Sequence, residues 1–403
     1  MSNTYKPPLA DDKPEDVGQG TTARVYGDTG LRQVNGWIEE DYHPKLRGRK
    51  RIEYYKRIGN ELGQAHAMLL LLETVVQQMT WTSNPAEPHE PTAEEEAQAE
   101  VYAQQFDGMI QDMDTSRQMF LTEAVGTTAQ YGHSPFEMVF KLRLGPDQDE
   151  PLFRSDYSDG LWGLRDLSPR SPDSVYRWDF DSDGTVRGLY QRVFFSGEEN
   201  YIPMAKLMNV RFRARKGNPE GHSLFRGMVR GYYFQTRLED IEAVGIERNV
   251  AGLPVFEVPQ EMTTKNATAD QKAALKEYIK TAKRIRADQQ MGLVMPAAED
   301  RTGKTGFGFR FDSSGAGAGL AAVDPVVKRW SFKNLQSMLG EMLDLGNTGT
   351  GSRAVGDTQA APLMRMIHAF AKAVASEINE KVIPTLGHLN GWPTRLLPTF
   401  DPD

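Results

Sequence analysis

The sequence predicts an α+β protein built from a helical section, a strand-rich section and a second helical section. Three observations carry this. Apolar residues recur at steps of three and four through residues 50–130. They alternate with polar ones between 131 and 216. Helical spacing then returns after Ser223, after Asp324 and after Pro362, with short strand-like runs between.

Residues 1–40 are rich in Gly, Pro, Asp and Thr and read as an extended arm. Such a segment buries too little apolar surface to offset its own ordering entropy, so a neighbouring subunit is expected to hold it. Ile58, Leu62, Ala65, Leu69, Leu72 and Val76 mark one helix over residues 50–80. The Pro-rich stretch Asn84–Pro91 breaks the chain. Thr92 and Glu95 have the spacing of a capping box. The acidic first turn that follows suits the helix dipole. This helix carries Ala97, Val101, Phe106 and Ile110. Another, with Met119, Leu121 and Val125, runs to about Gln130.

At Tyr131-Gly132 the period changes. In PFEMVFKLRL the residues Phe136, Met138, Phe140 and Leu142 share one strand face. LWGLRDL, VYRWDF, GTVRGLYQRVFF and KLMNVRFRAR continue the strand-rich section. Ser223 then caps a helix to about Val250, roughly 42 Å long. Its apolar stripe is Phe234, Leu238, Ile241 and Val244. VFEV reads as a strand, residues 269–289 as a helix, and MGLVMP and FGFRF as two more strands. After the linker SSGAGAG a helix runs from about Asp324 to Leu345, carrying Val327, Trp330, Met338, Met342 and Leu345. The stretch GNTGTGSRAVGDTQ separates it from a last helix, about Pro362–Thr385, with Leu363, Ile367, Phe370, Val374, Ile378 and Val382.

The chain has 403 residues, enough for two or three globular units. It has no cysteine, which excludes disulfides, thiolate metal sites and cysteine nucleophiles. Its 47 Lys and Arg against 55 Asp and Glu leave a formal charge of −8, which argues against a protein that wraps nucleic acid with a basic face. The longest apolar run, Ala67–Leu72, is far short of the ~18 residues of a membrane span. The polar N-terminus lacks a signal-peptide core, so the product is expected to stay where it is made.

Few motifs carry chemistry. Asp179, Asp181, Asp183 and Gly184 open like a calcium loop, but the twelfth position, where a bidentate carboxylate belongs, is Tyr190. A hairpin turn is the expectation. Gly303-Lys304-Thr305 ends like a phosphate loop but lacks the glycine five residues earlier, where Ala298 stands. No two of the seven histidines stand at i, i+4, and no GxSxG elbow occurs. No cofactor, metal or catalytic residue is expected. Lys272, Lys276, Lys280 and Lys283 line a basic helix. It reads as a solvated face, as a docking surface for an acidic partner protein or, third, as a DNA contact. The segment Gly346–Gln359 is functional or a mobile surface connection, since long loops are uncommon in compact domains.

The order of elements resembles a tailed-bacteriophage portal protein. The likeness rests on YGHSPFEMVF, LSPRSPDSVYRWDFDSDGTVRGLYQ, NVRFRARKGNPEGHSLFRGMVRGYYFQTRLEDIEAVGIERNVAGLPVFEV and LGNTGTGSRAVGDTQAAPLMRMIHAFAKAVASEINEKVIPTLGHLN. It implies a portal-like fold: a mixed α/β wing, two long stem helices, a small α/β clip, a tunnel loop and a C-terminal wing helix. Behind the arm of 1–40, the wing would span 41–221, with helices at 50–130 and strands at 131–216. Stem helices would fill 222–250 and 321–345 and the clip 251–320. The tunnel loop would be 346–359 and the C-terminal wing helix and tail 360–403. Few residues follow that helix, so the family's crown is expected to be reduced or absent.

The resemblance further implies a homo-oligomeric ring of twelve subunits at one capsid vertex, assembled in the host cytoplasm and carried in the virion. Double-stranded DNA would pass through it during packaging and ejection. The major capsid protein, the terminase and a head-tail adaptor would be its partners, without a membrane. Asn347, Thr348, Thr350, Ser352, Arg353 and Asp357 would approach DNA from the tunnel loop. Lys272, Lys276, Lys280 and Lys283 would meet the adaptor from the clip. The rivals are another ring-forming virion protein, such as an adaptor, and a nuclease or NTPase subunit.

Overall fold

The computed structural model describes residues 29–193, 197–251, 253–284, 293–296, 308–312, 323–340 and 353–403. A hairpin comes first, β1 (Gln33–Val34) and β2 (Trp37–Ile38). Asn35 and Gly36 turn it with φ of 51° and 81°, as a two-residue hairpin loop requires. The end of the expected arm is therefore folded, and it rests on its own chain. Leu31 and Ile38 are buried with Trp178 and Leu189, and the Gly36 carbonyl accepts from the Trp178 N–H at 2.9 Å. For this part the expected support from a neighbour is corrected; residues 1–28 lie outside the described residues.

Residues 49–78 form two helices where one was expected, α1 (Arg49–Glu61) and α2 (Gly63–Gln78). Leu62 between them is extended, with φ −101° and ψ 110°. The apolar period runs through the break because both helices bury their stripes in one core, Leu62 included. β3 (Trp81–Asn84) follows. The predicted capping box opens α3 (Ala93–Gln111): Glu95 N–H donates to Thr92 Oγ1 at 3.3 Å and Thr92 N–H to Glu95 Oε2 at 3.1 Å. Phe106 and Ile110 are buried as expected, but Val101 is exposed. α4 (Arg117–Tyr131) ends at Gly132, in the left-handed region that favours glycine. A Cβ there would meet the Glu220 carbonyl oxygen at 2.7 Å.

The strand-rich section is two three-stranded antiparallel sheets. Its strands are β4 (His133–Leu142), β5 (Trp162–Pro169), β6 (Val175–Phe180), β7 (Val186–Arg192), β8 (Glu199–Pro203) and β9 (Leu207–Arg211). One sheet has the order β5-β4-β9, the other β6-β7-β8. The turn after β6 is the predicted one: Gly184 N–H donates to the Asp181 carbonyl and Asp181 N–H to the Thr185 carbonyl. In β4 the expected face holds only for Phe136 and Met138. A bulge between Val139 and Phe140 reverses the alternation. Phe140 and Leu142 are thus half-buried, while Lys141 and Arg143 point inward. These cations meet Asp112, just past α3. Lys141 Nζ lies 3.2 Å from its Oδ2, and Ser155 Oγ donates to the same oxygen at 2.6 Å. A buried carboxylate needs this compensation.

A 3-10 turn (Leu224–Met228) leads into α5 (Val229–Ala251). β10 (Leu253–Val258), α6 (Gln260–Thr263), α7 (Ala269–Arg284), β11 (Leu293–Pro296) and β12 (Gly308–Asp312) make a small unit. β10 is central, parallel to β11 and antiparallel to β12. α8 (Val323–Ser337) is shorter than the predicted helix to Leu345. The chain turns at Leu339, φ 58°, and Gly340 N–H reaches back to the Leu335 carbonyl at 2.9 Å.

The last helix starts earlier than expected, as α9 (Arg353–Glu377). A π turn (Ile378–Val382) and α10 (Ile383–Asn390) carry it past Thr385. Pro362 lies inside α9, and its ring is exposed. β13 (Thr399–Pro402) returns to pair with β3. The main core gathers α1–α4, the β5-β4-β9 sheet, α9 and β13 around fully buried Phe106, Phe136, Phe225 and Phe370.

Candidate functional site

The elements that the sequence singles out leave this core together. Ser223 anchors the exit: its hydroxyl donates to the Gln130 carbonyl at 2.5 Å and accepts from Phe225 N–H at 3.0 Å. α5 then runs antiparallel to α8, with Gly227 beside Ser337, Gly231 beside Asn334 and Phe234 stacked on Trp330 at 5.0 Å. The approach at Gly231 is very close. A Cβ there would stand 1.8 Å from Asn334 Oδ1, so only glycine fits without parting the helices.

Asn334 is buried at this crossing. Its Nδ2 donates to Gln235 Oε1 at 2.9 Å, and Gln235 Nε2 donates to Glu239 Oε1 at 2.9 Å. A buried amide chain with its partners in place fixes the register of two helices more narrowly than apolar contact does. Two further bonds hold the pair to the core: Tyr232 Oη to Glu61, and Gln64 Nε2 to Ser331 Oγ at 2.5 Å. Burial and the Glu61 carboxylate both push the Tyr232 phenol up, so it stays a neutral donor.

Past the crossing, burial ends. From Thr236 to Ile246 no α5 residue is buried, and none is from Val323 to Lys333 in α8. The expected stripe is only half-covered: Phe234, Leu238 and Val244 are intermediate and Ile241 is 48% exposed. The two helices form a stalk, and the small β10–β12 unit is inserted between them in sequence. That unit buries Val255, Val258 and Met262. Thr268 and Gln271 cap α7 reciprocally, at 2.9 and 3.3 Å. The helix packs on β10 and β11.

The predicted site residues fall in two groups. Lys272, Lys276 and Lys280 are exposed on α7, one turn apart. Lys272 Nζ donates to the Lys265 carbonyl at 3.2 Å, and Lys280 Nζ lies 3.4 Å from Glu277 Oε1. Lys283 is on the same helix, with its side chain outside the described residues. Asn347, Thr348, Thr350 and Ser352 lie outside them altogether. Arg353 and Asp357 belong to α9, so the predicted loop of 346–359 is corrected from Arg353 onward. Gly227 in the 3-10 turn and Gly231 in the first turn of α5, four apart, are the sequence signal for this close crossing. Among the described residues no group of His, Asp and Glu could hold a metal ion, and no helix is long and apolar enough to cross a membrane.

The family model for the portal protein of Mu bacteriophage matches residues 52–403. The chain belongs to that portal family. No curated protein sequence matches it. Among solved structures, the neck of an empty gene transfer agent particle computed with C6 symmetry aligns over 87% of this chain and 84% of that one, with 11% identity and a TM-score of 0.50. An HK97-family phage portal protein from Corynebacterium diphtheriae aligns over 88% and 94%, with 12% identity and a TM-score of 0.44. Identities this low speak to fold alone, and of these two structures the first reaches a TM-score of 0.50. The portal's mixed helix-and-sheet fold is the α+β class expected from its sequence.

Proposed function

We propose that this portal protein closes into a ring at one capsid vertex, is carried in the virion, and passes duplex DNA during packaging and ejection. The observation that carries the reading is the stalk, two antiparallel helices leaving the core with half their apolar stripe uncovered, in a chain of the portal family. Repeated around an axis by head-to-tail contacts, such stalks complete one another and surround a hole. The net charge of −8 supports a passage rather than a grip, because a like-signed wall offers phosphates no tight contact that would brake sliding.

In this reading residues 41–221 are the wing, 222–250 and α8 the stem, 251–320 the clip, 346–352 the tunnel loop and 353–403 the C-terminal wing segment. Twelve copies form the ring, assembled in the host cytoplasm beside the major capsid protein and loaded by a terminase. The chain conducts and docks; it does not catalyse. The exposed lysines of α7 meet the acidic surface of a head-tail adaptor. Reversing Lys276, Lys280 and Lys283 to glutamate is expected to spare the ring and block adaptor docking, read by co-sedimentation; loss of the ring assigns α7 to the subunit contact instead. Arg353→Ala is expected to lower the DNA packaged or retained per particle, and unchanged DNA content removes Arg353 from the passage. Negative-stain images of the assembled protein test the whole reading through a central hole wide enough for duplex DNA.

A further inference from the structure

Charge is sorted along the first third of the chain. From Lys45 to Arg57, seven Lys and Arg stand against one acid, Glu53. Between Arg57 and Arg117 there is neither lysine nor arginine, while glutamates crowd Glu87–Glu100. The fold sends the two blocks to different elements. The basic block builds α1 and the 3-10 turn before it, which pack on α2, α4 and the base of the stalk. The acidic block builds the start of α3, which packs on β3, β5 and the turn at Thr394–Leu396.

Where the basic block meets α5, a cleft of about 390 Å³ opens between Tyr42, Lys45, Tyr54, Arg226, Arg230 and Tyr233. Tyr42 is 79% exposed and Tyr233 54%. Asp41 holds Arg226. Lys45 and Arg230 have no carboxylate partner among the described residues and lie instead over the rings of Tyr54 and Phe234, at 5.9 and 5.8 Å. Exposed tyrosines among such cations have the composition of an interface centre.

The start of α3 is its counterpart. Glu94, Glu96 and Glu100 are exposed without a salt-bridge partner among the described residues, whereas Glu95 is taken by Thr92 and Arg395. Ala97 and Val101, one turn apart and both exposed, put a small apolar centre between those carboxylates. One face thus presents cations around aromatic rings, the other carboxylates around aliphatic groups.

We infer that this cleft receives the acidic first turns of α3 from a second copy of the chain, a deepening that rests on the ring reading above. Two different faces of one chain that complement each other make a head-to-tail contact, the kind that closes a ring. DNA in the cleft would satisfy its cations but leave the acidic face of α3 unmatched; a second copy satisfies both.

Because the chain has no cysteine, Val101→Cys with Tyr233→Cys places one thiol on each face. In assembled rings a short bismaleimide should then link copies into a ladder that ends at the closed ring, while each single variant gives none. Lys45→Glu with Arg230→Glu, and Glu96→Lys with Glu100→Lys, should each raise the protein concentration at half-assembly by about tenfold. Joining all four changes should recover most of that loss, with melting curves unchanged throughout. Rings without a ladder, or reversals that assemble like the wild type, overturn this contact and leave the ring standing. A wild type that stays monomeric under every assembly condition overturns both.

Discussion

The body of the molecule and its stalk send their apolar surface to different places. In the body, Phe370 is fully buried and stacks on Phe212 at 3.9 Å, and the helices around it bury whole stripes. In the stalk, one polar crossing at Gly231, Gln235 and Asn334 closes the pair. Beyond it, Ile241 and Ile246 are 48% and 49% exposed. The body buries its apolar stripes within one chain, whereas the stalk leaves part of its stripe uncovered.

The largest effect should follow from emptying the body. Phe370→Ala is expected to cost about 3–5 kcal/mol in chemical denaturation of the isolated chain. Ile241→Ala should cost under about 0.5 kcal/mol there, since it removes little that is buried, and yet weaken ring assembly. Equal losses in the isolated chain would show that the stalk has a core of its own.

Acid should come next. His133 begins β4, fully buried beside Trp178, with Arg51 and Glu220 nearby. Burial holds its imidazole down to about 4. Unfolded, the ring takes up a proton below about pH 6.5. Its contribution is thus fully present above pH 6.5 and is lost as pH falls toward 4, by up to about 3 kcal/mol. His133→Gln should flatten the slope of stability between pH 6.5 and 4. An unchanged slope places the acid sensitivity elsewhere.

Parting the stalk should cost less. Gly231→Ala forces Asn334 away and is expected to cost about 1–3 kcal/mol, read as faster hydrogen exchange in α5 and α8 while the body keeps its protection. Faster exchange throughout would mean that body and stalk open together. Smallest is the cap of α3: Thr92→Ala should cost about 1 kcal/mol by thermal denaturation, since only the exposed first turn of one helix loses its bonds.

Much of this division was legible. The box at Thr92 and Glu95, the turn at Asp181–Gly184 and the cap at Ser223 are local signals, and the structure uses each one locally. What stayed hidden depends on distant partners. Leu62 is extended inside an unbroken apolar period because two helices share one core. β3 and β13 pair across most of the chain, and neither segment shows strand alternation by itself. Pro362 reads as a helix start by its own chemistry, yet a buried face from Leu363 to Val374 carries the helix through it. In the candidate site, the lysines of α7 were visible as a stripe at helical spacing. Asn334 and Gln235 look like surface amides until the other helix supplies the partner.

A cryo-electron map of the assembled ring would show where the stalk lies. If the stalks surround a shared axis, α5 and α8 of every subunit are innermost, with the body outside them and the β10–β12 unit at one end of the hole. A ring with the body innermost and the stalks on the outer rim would contradict that placement.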